Sequence, residues 1–589
     1  MDTQNFYGTR HHVNEKFITM IEALNAADGC KNPDSIVILP PESGDQNIDS
    51  DIEDVPDDFE EGFEPAGVME IDDKSDEEND DELQNIKNSS QRRKKSNTQP
   101  KWRKNTDFDT PLTHISPNKL ADEHPELLNY SCYQLWREFF TDEMMELIKE
   151  QTNIFANRDK GDIKFMVEKD ELSIFLGILI HSGYKSYPQE RTYWSNKEGL
   201  GCDLVSKSMS RNRFQTIKSY IHMADNQCLQ EGNKVAKISP LYSLLNLSLI
   251  KFGVFHSKLS IDESMVPYYG KHSAKMFIRG KPIRFGYKIW AICGSNGYPY
   301  HLQIYQGKEY EKPAQPLGSR VINELVQVVL GCSSPRNHSF FFDNFFTSYT
   351  LLCELREKQV MATGTIRDNR TAGAAGLMKE IQNKRKNERG SYDYRCDGRV
   401  LVCKWVDNAV VGIASNHDNV FPLKNTRRRV RGMPNQTVNQ PSLIHAYNQG
   451  MGGVDMMDKL LETYRPKIRG KKWYFPLFLN ALNVSIVAAW RAYQEIHPLD
   501  KITHFEFRYE IALCLIKSVG KKRRQELGGH TADIPGDIRC DGTGHKPESV
   551  KQGRCKVCKS NCRLRCLKCN VRLHRDKGKT CWDDYHTSS

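Results

Sequence analysis

Apolar residues recur at helical spacing over much of the chain, beginning near residue 130. Between about 130 and 255 they return every three or four positions in CYQLWREFFTDEMMELIKEQTNIFA, ELSIFLGILIHSGY and RNRFQTIKSYIHMAD. That period predicts amphipathic helices, each with one face in a core. A later stretch, KKWYFPLFLNALNVSIVAAWRAYQEI, is apolar almost throughout and predicts a long buried helix.

Between about 257 and 345 the spacing of apolar residues changes from helical to strand-like. Short runs rich in β-branched and aromatic residues, separated by Gly, Pro or Asn, predict strands: LSIDES, RFGYKIWAIC, YPYHLQIYQG and SFFFD. VINELVQVVLGC and LLCELREKQV read as helices, and MATGTIR reads as a further strand. This order predicts a mixed sheet with helices on its faces. Residues 370–440 carry further short strands and read as an insertion, after which SLIHAYNQGMGGVDMMDKLLETYR resumes a helical pattern.

The length of the chain indicates how many domains to expect, and its charge indicates the class of binding partner. The 589 residues are too many for one core and predict two to four domains. The net charge of +9 conceals a very acidic stretch at 45–83, which predicts disorder for residues 1–105. The rest is more basic than the total suggests, which favours a nucleic-acid partner, although a basic solubilising surface fits equally well. No run of 18 apolar residues and no secretory signal is visible, so no membrane partner is expected.

A short basic stretch follows the acidic one. Arg92, Arg93, Lys94 and Lys95 lie together beside the segment predicted to be disordered. Such clusters are typical of nuclear-import or DNA-contacting segments, and a solvated linker is the alternative.

Three aspartates stand where the hydrophobic pattern changes. Asp262 lies in KLSIDESMVPYYG, Asp343 ends the run HSFFFD, and Asp455 opens the helical segment after NQGMGG. Mg²⁺ prefers oxygen ligands, and two such ions about 4 Å apart can serve both ends of an in-line phosphoryl displacement. A lone aspartate is more often a cap, a turn residue or a surface residue. The pattern alone therefore fits two interpretations: a two-metal site, or three aspartates with ordinary structural roles.

The sequence motifs around these aspartates resemble those of one known protein family. IDES, GKHSAKMFIRGKPIRFGYKIW, FFFDNFFTSYTLL, YNQGMGGVDMMDKLLETYR and IRGKKWY occur in this order between about 130 and 500. Together they closely resemble the transposase domain of the piggyBac family, and in particular its host-resident, transposable element-derived members.

The resemblance implies an α/β multidomain fold with an RNase H-like catalytic core. It also implies a split α-helical domain for dimerisation and DNA binding, a β-rich insertion, and a RING-like cross-brace zinc domain. The expected segments are a disordered region 1–105, a helical domain 130–256 and 459–517, a core 257–369 and 441–458, an insertion 370–440, a basic linker 518–539 and a zinc domain 540–589.

The resemblance also implies an activity. Asp262, Asp343 and Asp455 match the family's catalytic triad, and Asp458 matches a further family aspartate one helical turn later. The implied enzyme is a DDD-type transposase in which two Mg²⁺ ions are held by the triad. It cleaves DNA at terminal inverted repeats and transfers strands at TTAA targets. A homodimer, chromatin-associated partners and a nuclear location follow.

Two other functions stay open on the sequence. A catalytically silent DNA-binding or chromatin regulatory protein could retain the same fold. A zinc-domain adaptor could hold protein partners through the acidic N-terminal region. All four aspartates are retained here, which permits catalysis without proving it.

Basic residues around the triad predict a DNA track. Neutralising phosphates with them would make DNA binding strongly salt-dependent. Trp473 can stack on a base, or it can be an ordinary core residue. The predicted DNA-binding residues are Lys271, Lys275, Arg279, Lys281, Arg284, Arg427, Arg428, Arg429, Arg431, Arg469, Lys471, Lys472 and Trp473.

The last fifty residues hold seven of the 17 cysteines. Two CxxC pairs with downstream Cys and His residues are a strong zinc signal in a chain without a secretory signal. Seven ligands are evident: Cys555, Cys558, Cys566, Cys569, His574, Cys581 and His586. Two closed sites need eight, and either His545 or Cys562 can supply the last. The family's cross-brace tail, which has a histidine before the first CxxC, favours His545 and implies two structural Zn²⁺ ions.

Overall fold

The structure is a computed structural model. It describes residues 100–518, apart from 279–280, 308–314, 383, 385–387, 429–435 and 501, and it describes 540 and 544–587, apart from 576–577. Within the N-terminal region predicted to be disordered, four short backbone strands are also described, and the rest of residues 1–99 lies outside the described residues. The predicted basic linker 518–539 lies outside them except for Ser518.

The strands are β1 Phe6–Arg10, β2 Val13–Phe17, β3 Ser35–Leu39, β4 Val68–Asp72, β5 Lys258–Pro267, β6 Lys275–Phe277, β7 Phe285–Gly294, β8 Pro299–Ile304, β9 Ser339–Phe342, β10 Met361–Thr365, β11 Tyr392–Cys396, β12 Leu401–Val406, β13 Val410–Ser415, β14 Lys424–Arg428, β15 Gln436–Gln440, β16 Pro547–Arg554 and β17 Asn561–Cys566. The strands from β5 to β13 follow the predicted order, whereas β1–β4 lie in the region predicted to be disordered.

Most helices lie in segments predicted to be helical, but Leu120–Glu123, Lys379–Gln382 and Cys581–Thr587 were not predicted. The helices are α1 Leu120–Glu123, α2 Cys132–Phe139, α3 Asp142–Ile154, α4 Lys169–Tyr184, α5 Asp203–Ser206, α6 Arg211–Tyr220, α7 Ser239–Ile250, α8 Leu317–Leu330, α9 Tyr349–Glu357, α10 Lys379–Gln382, α11 Ser442–Gly450, α12 Gly453–Thr463, α13 Phe475–Ile496, α14 His504–Lys517 and α15 Cys581–Thr587.

One mixed sheet organises the centre of the molecule. β5 pairs antiparallel with β7 on one side and parallel with β9 on the other, and β9 pairs parallel with β10. β8 and β6 both lie along the far edge of β7, and β3 and β4 continue from β6. The order across the centre is therefore β8, β7, β5, β9, β10, with the two parallel pairings next to each other.

The predicted insertion is joined to this sheet. Its strands β11, β12 and β13 form an antiparallel meander, and β13 pairs with β10. A small core of its own, which includes Cys403, Trp405 and Val438, lies beside the main core. Residues 370–440 are thus partly an extension of the sheet, and only β14 and β15 form a separate hairpin.

The helical segments from both ends of the predicted split domain pack together. α13 contacts α2, α7, α12 and α14, and α14 lies against α4. These helices share one continuous hydrophobic core with the sheet. α13 is the single helix among the described residues that is long and apolar enough to span a membrane, and 89% of its most apolar window is buried inside the protein. It is a core helix here, as its uninterrupted apolar pattern predicts.

Candidate active site and metal clusters

Asp262 and Asp343 lie side by side on neighbouring parallel strands. β5 and β9 pair in register up to Ile261 and Phe342, and each aspartate is the next residue of its chain. Neighbouring strands are about 4.8 Å apart. The two carboxylates, 81 positions apart in sequence, therefore meet where β9 ends.

Helix α12 brings its own carboxylate to the same face of β5. Ser260, Asp262 and Ser264 alternate along β5 and so point to one side of the sheet. Ser260 Oγ accepts a hydrogen bond of 3.0 Å from the backbone N–H of Val454, and Ser264 Oγ donates one of 2.5 Å to Asp458 Oδ1. These bonds hold α12 along the face that carries Asp262.

The close approach of α12 depends on a glycine. A Cβ on Gly453 would lie 2.4 Å from the carbonyl oxygen of Gly294 and 2.6 Å from Ser260 Oγ. Asp455 lies exposed in the first turn of α12, and Asp458 follows one turn later on the same side of the helix. The segments GMGG and VDMMD therefore act together. Gly453 allows α12 to dock closely against β5, and Asp455 and Asp458 follow on the docked helix.

Glu263 is a further carboxylate that the sequence analysis did not single out. Its backbone N–H donates to Asp262 Oδ1 at 2.8 Å, and its side chain pairs with Lys281 at an Nζ to Oε1 distance of 3.4 Å. The signal was available, because the second acidic residue of IDES directly follows the first. We call the five carboxylates Asp262, Glu263, Asp343, Asp455 and Asp458 the acidic site.

Burial is the main cause that raises the pKa values of three of these carboxylates, Asp262, Asp343 and Asp458. Burial, followed by the charge of Glu263, raises the pKa of Asp262 to about 8. The same two causes raise the pKa of Asp343, against a 2.9 Å hydrogen bond from the backbone N–H of Phe345 to Oδ1. Burial raises the pKa of Asp458 to about 6, against the hydrogen bond from Ser264. The site is thus short of positive charge.

Two lysines supply part of that charge. Burial alone would raise the pKa of Glu263, but the ammonium groups of Lys288 and Lys281 outweigh it and lower the pKa. Lys288 Nζ lies 3.9 Å from the ring centroid of Trp290 and 5.3 Å from that of Phe345. Trp290 on β7 lies opposite Glu263 on β5. Because Lys288 is two positions before Trp290 on β7, it lies diagonally across from Glu263 on the same face of the sheet.

Closely clustered side chains that could hold a metal ion occur in the cysteine-rich tail. Across the described residues, sets of three or more Cys, His, Asp or Glu ligand atoms within 4.8 Å of one another are found only there. The first cluster consists of Cys555, Cys558, His574 and Cys581, and the second of His545, Cys566, Cys569 and His586. The ligands of the acidic site are therefore more widely spaced than those of the tail.

The cluster geometry suits a tetrahedral ion. His545 Nδ1 lies 3.4 Å from the Sγ atoms of both Cys566 and Cys569, and Cys558 Sγ lies 3.4 Å from His574 Nδ1. Ligands about 2.0–2.3 Å from a tetrahedral Zn²⁺ stand roughly 3.4–3.8 Å apart.

Backbone carbonyls orient the two downstream histidines. His574 pairs through Nε2 with the carbonyl oxygen of Asn561 at 2.9 Å, and His586 pairs through Nδ1 with that of Trp582 at 2.8 Å. In each case the other ring nitrogen faces the cysteines, as in histidines that bind metal.

All eight predicted zinc ligands fall into these two sets. The sets interleave along the chain, because the first CxxC joins His574 and Cys581 while the second joins His545 and His586. Cys562, the alternative eighth ligand, belongs to neither set and lies 3.1 Å from the carbonyl oxygen of Leu573.

The predicted DNA-binding residues differ in how far their side chains are exposed. Lys271, Arg284, Arg427, Arg469 and Lys471 are exposed. Lys281, Arg428 and Lys472 are half-buried and engaged inside the protein. Arg428 pairs with Asp407 at 3.1 Å, and Lys472 Nζ donates to the carbonyl oxygen of Ile221 at 3.0 Å. Arg279, Arg429 and Arg431, with the basic run 92–95, lie outside the described residues.

Two of these predictions are corrected by burial. Lys275 is 3% exposed on β6, and burial followed by the charge of Lys271 lowers its pKa to about 8. Trp473 is 5% exposed and stacks on His272 with ring centroids 4.1 Å apart. Neither side chain lies on a surface that DNA can reach. Trp473 is a core residue, which is the alternative that the sequence left open.

Comparison with known proteins gives the family. The transposase IS4 family profile matches residues 131–490, which is more than half of the chain. The human PiggyBac transposable element-derived protein 3 is 37% identical over 456 residues, covering 76% of this chain and 75% of the relative. The human PiggyBac transposable element-derived protein 2 is 32% identical over 475 residues, covering 79% and 78%.

A solved structure shows the same fold. The cryo-EM structure of a piggyBac transposase synaptic complex with hairpin DNA superposes with a TM-score of 0.58. It covers 76% of this chain and 98% of the solved chain at 20% sequence identity. Profile, relatives and fold agree on the class, which is that of the DNA transposases. The chain belongs to the piggyBac family of transposases.

Proposed function

We propose that this chain is a DNA transposase that cuts and rejoins phosphodiester bonds at the acidic site. Its substrates are terminal inverted repeats, and its targets are TTAA sequences, as the family resemblance implies. The observation that carries the proposal is the matched register of Asp262 and Asp343 on parallel strands. Helix α12 lies against the same face and adds Asp455 and Asp458.

The strand order supports an RNase H-like core. In that arrangement three antiparallel strands come first along the chain, and two strands parallel to the first are added at its other side. β5, β7 and β8 are consecutive and antiparallel, and β9 and β10 follow in parallel beside β5. The two aspartates then stand on the first and fourth strands, which are neighbours at the centre of the sheet.

The donor set of the acidic site fits divalent metal. Its ligands are carboxylate oxygens, the kind that Mg²⁺ prefers. The raised pKa of Asp262, caused by burial and by Glu263, marks an excess of buried negative charge that a divalent cation would relieve. Asp262, Asp343 and Asp455 would hold two Mg²⁺ ions. When bound, such ions activate the attacking oxygen and stabilise the leaving one.

The protein's own part in the reaction is positioning. The backbone N–H of Phe345 fixes one oxygen of Asp343, and Ser264 fixes one oxygen of Asp458. Lys288, held between two aromatic rings, keeps Glu263 ionised beside Asp262. Carboxylates held in this way reach their ligand geometry before DNA arrives, which lowers the cost of assembling the reacting groups.

We propose further that the tail binds two structural Zn²⁺ ions in a RING-like cross-brace. Support comes from the two interleaved sets of four Cys and His ligands. Double-stranded DNA is the proposed partner, in line with the hairpin DNA named for the solved relative. A homodimer, chromatin-associated partners and a nuclear location complete the proposal.

A cleavage assay with purified protein tests the enzyme function. The substrate is a linear duplex with the element's own flanking repeat, and Mg²⁺ is the added metal. Asp343→Asn removes one charge from the site without changing side-chain size, so we expect cleavage to fall at least about 1,000-fold while DNA affinity stays within about twofold. Asp203→Asn, an exposed carboxylate on α5, is the matched control.

The same assay separates the alternative function. The two human relatives carry names of host-resident, transposable element-derived proteins, which favours a catalytically silent DNA-binding protein as the second candidate. Salt-dependent binding of the repeat without any cleavage by the unaltered protein would establish that second function and contradict the first.

A further inference from the structure

Lys281 occupies an unexpected place among the basic residues. The sequence assigns it to a DNA track, yet its ammonium group points inward, 3.4 Å from Glu263 Oε1 and 3.4 Å from the Glu263 carbonyl oxygen. Its side chain is 25% exposed. A lysine that reads phosphates would instead reach outward on its flexible stem.

The charge of Lys281 acts on the whole acidic site. Burial alone would lower its pKa, but Glu263, Asp262 and Asp455 outweigh burial and raise it. In return, the charge of Lys281 partly offsets the burial that raises the pKa values of Asp343 and Asp458. The ammonium group thus interacts electrostatically with all five carboxylates.

Lys288 provides a contrast within the same site. Its ammonium group is packed between the rings of Trp290 and Phe345, on a strand in the middle of the sheet. It acts on Glu263, Asp262 and Asp343. Lys281 lies outside the named strands, between β6 and β7, and its described polar contacts at the site are with Glu263 alone. One cation is therefore fixed by packing, and the other is held mainly by charge.

We propose that Lys281 is an internal counter-ion that balances the acidic site before metal binds and competes there with divalent cations. This inference rests on the proposed metal-dependent function. Its physical basis is that like charges repel a second cation from the same carboxylates. The carboxylates stay close together in the metal-free protein because a cation is already present, and a divalent ion must then displace or outweigh it.

The test is Mg²⁺ titration of the full-length protein by calorimetry, without DNA. Lys281→Gln removes the charge and retains a donor for the Glu263 carbonyl. We expect Mg²⁺ to bind the variant about five- to tenfold more tightly than the unaltered protein. Without metal, the variant's sheet should melt at a lower temperature, and saturating Mg²⁺ should raise its Tm by more than it raises that of the unaltered protein. Lys281→Arg should resemble the unaltered protein.

Lys271→Gln is the matched comparison, because Lys271 lies in the same basic stretch but is exposed. It should leave Mg²⁺ affinity unchanged and reduce the salt dependence of DNA binding. If Lys281→Gln behaves in that way instead, or if its Mg²⁺ affinity is unchanged or weaker, Lys281 is not a counter-ion. Should Lys281→Gln fail to fold, an Mg²⁺ affinity of Lys281→Met equal to that of the unaltered protein overturns the proposal.

Absence of any Mg²⁺ binding to the unaltered protein contradicts the metal site itself. That outcome overturns the proposed enzyme function together with this inference. Binding to the unaltered protein with no gain on removing Lys281 overturns the inference alone.

Discussion

The acidic site and the cysteine-rich tail both present side chains that can bind metal, but they hold those side chains in opposite ways. The carboxylates stand on strands and a helix that share a large hydrophobic core. The tail has a core of about ten apolar side chains, and five of its nine fully buried members are cysteines. In the first region the fold positions the ligands, whereas in the second the ligands supply most of the fold.

Electrostatics sharpens the same contrast. In the acidic site, burial followed by the charge of Glu263 raises the pKa of Asp262 to about 8, so ionising this carboxyl group is costly. The tail carries its ligands as two closely spaced sets of Cys and His. If both regions bind metal as proposed, the acidic site can exchange its ions without unfolding, whereas the tail cannot.

Chelation should give the largest effect and separate the two regions. Removing zinc with a strong chelator should unfold residues 544–587, because so small a core cannot offset the entropy of ordering the chain. Residues 258–294 should keep their protection from hydrogen exchange. Mass spectrometry of exchange in the full-length protein measures both, and a tail that stays protected after complete zinc removal would contradict the comparison.

Gly453→Ala should test how far the sheet alone positions α12. Its new Cβ would meet backbone and side-chain oxygens at 2.4 and 2.6 Å. We expect a loss of about 1–3 kcal/mol in the free energy of unfolding and a marked loss of cleavage.

Gly452→Ala is the control for this change, because a Cβ there meets nothing within 4 Å. It should change stability by less than about 1 kcal/mol. Urea denaturation measures both variants. An equal effect of the two would show that close docking at Gly453 is unimportant.

Stability of the metal-free sheet should fall as pH rises. The pKa of Asp262 is raised to about 8 in the folded protein by burial and Glu263, against an ordinary value of 3.8. Between these values the folded state binds the extra proton, so unfolding becomes easier with increasing pH. Denaturation in chelator between pH 5 and pH 9 measures the slope. Asp262→Asn should flatten it, and an unchanged slope in that variant would assign the effect to other groups.

Cys562→Ser should have the smallest effect. Cys562 belongs to neither ligand set, so the protein should still bind two zinc equivalents and lose about 1 kcal/mol or less in the stability of its tail. Cys566→Ser, by comparison, removes a member of the second set and should leave about one equivalent. Metal analysis of the purified variants checks both, and loss of zinc from Cys562→Ser would return it to the candidate ligands.

Sequence patterns predicted what depends on local order. Apolar runs placed Asp343 directly after the end of β9, and the two CxxC pairs gave the tail its clustered Cys and His residues. The hydrophobic pattern also changes at Asp262, but this residue lies in the middle of β5, because the strand continues to Pro267. Long-range packing was not visible locally. Trp473 stands among lysines in the sequence but stacks on His272, 201 positions earlier.

The same limit explains the remaining differences. Lys281 reads as a surface cation because nothing near it in sequence reveals its partner Glu263. The insertion reads as separate because the pairing of β13 with β10 joins strands about 50 residues apart. Both depend on which surfaces meet after folding.

The parallel pairing of β5 with β9 has a consequence for the growing chain. Asp262 and Asp343, which this pairing brings together, are 81 positions apart in the sequence. Helix α12 adds Asp455 more than a hundred positions after Asp343. Contacts between such distant residues form late, since loop closure must come first. About three quarters of the chain must therefore be synthesised before all the carboxylates of the acidic site are present, so this site is assembled only late in synthesis.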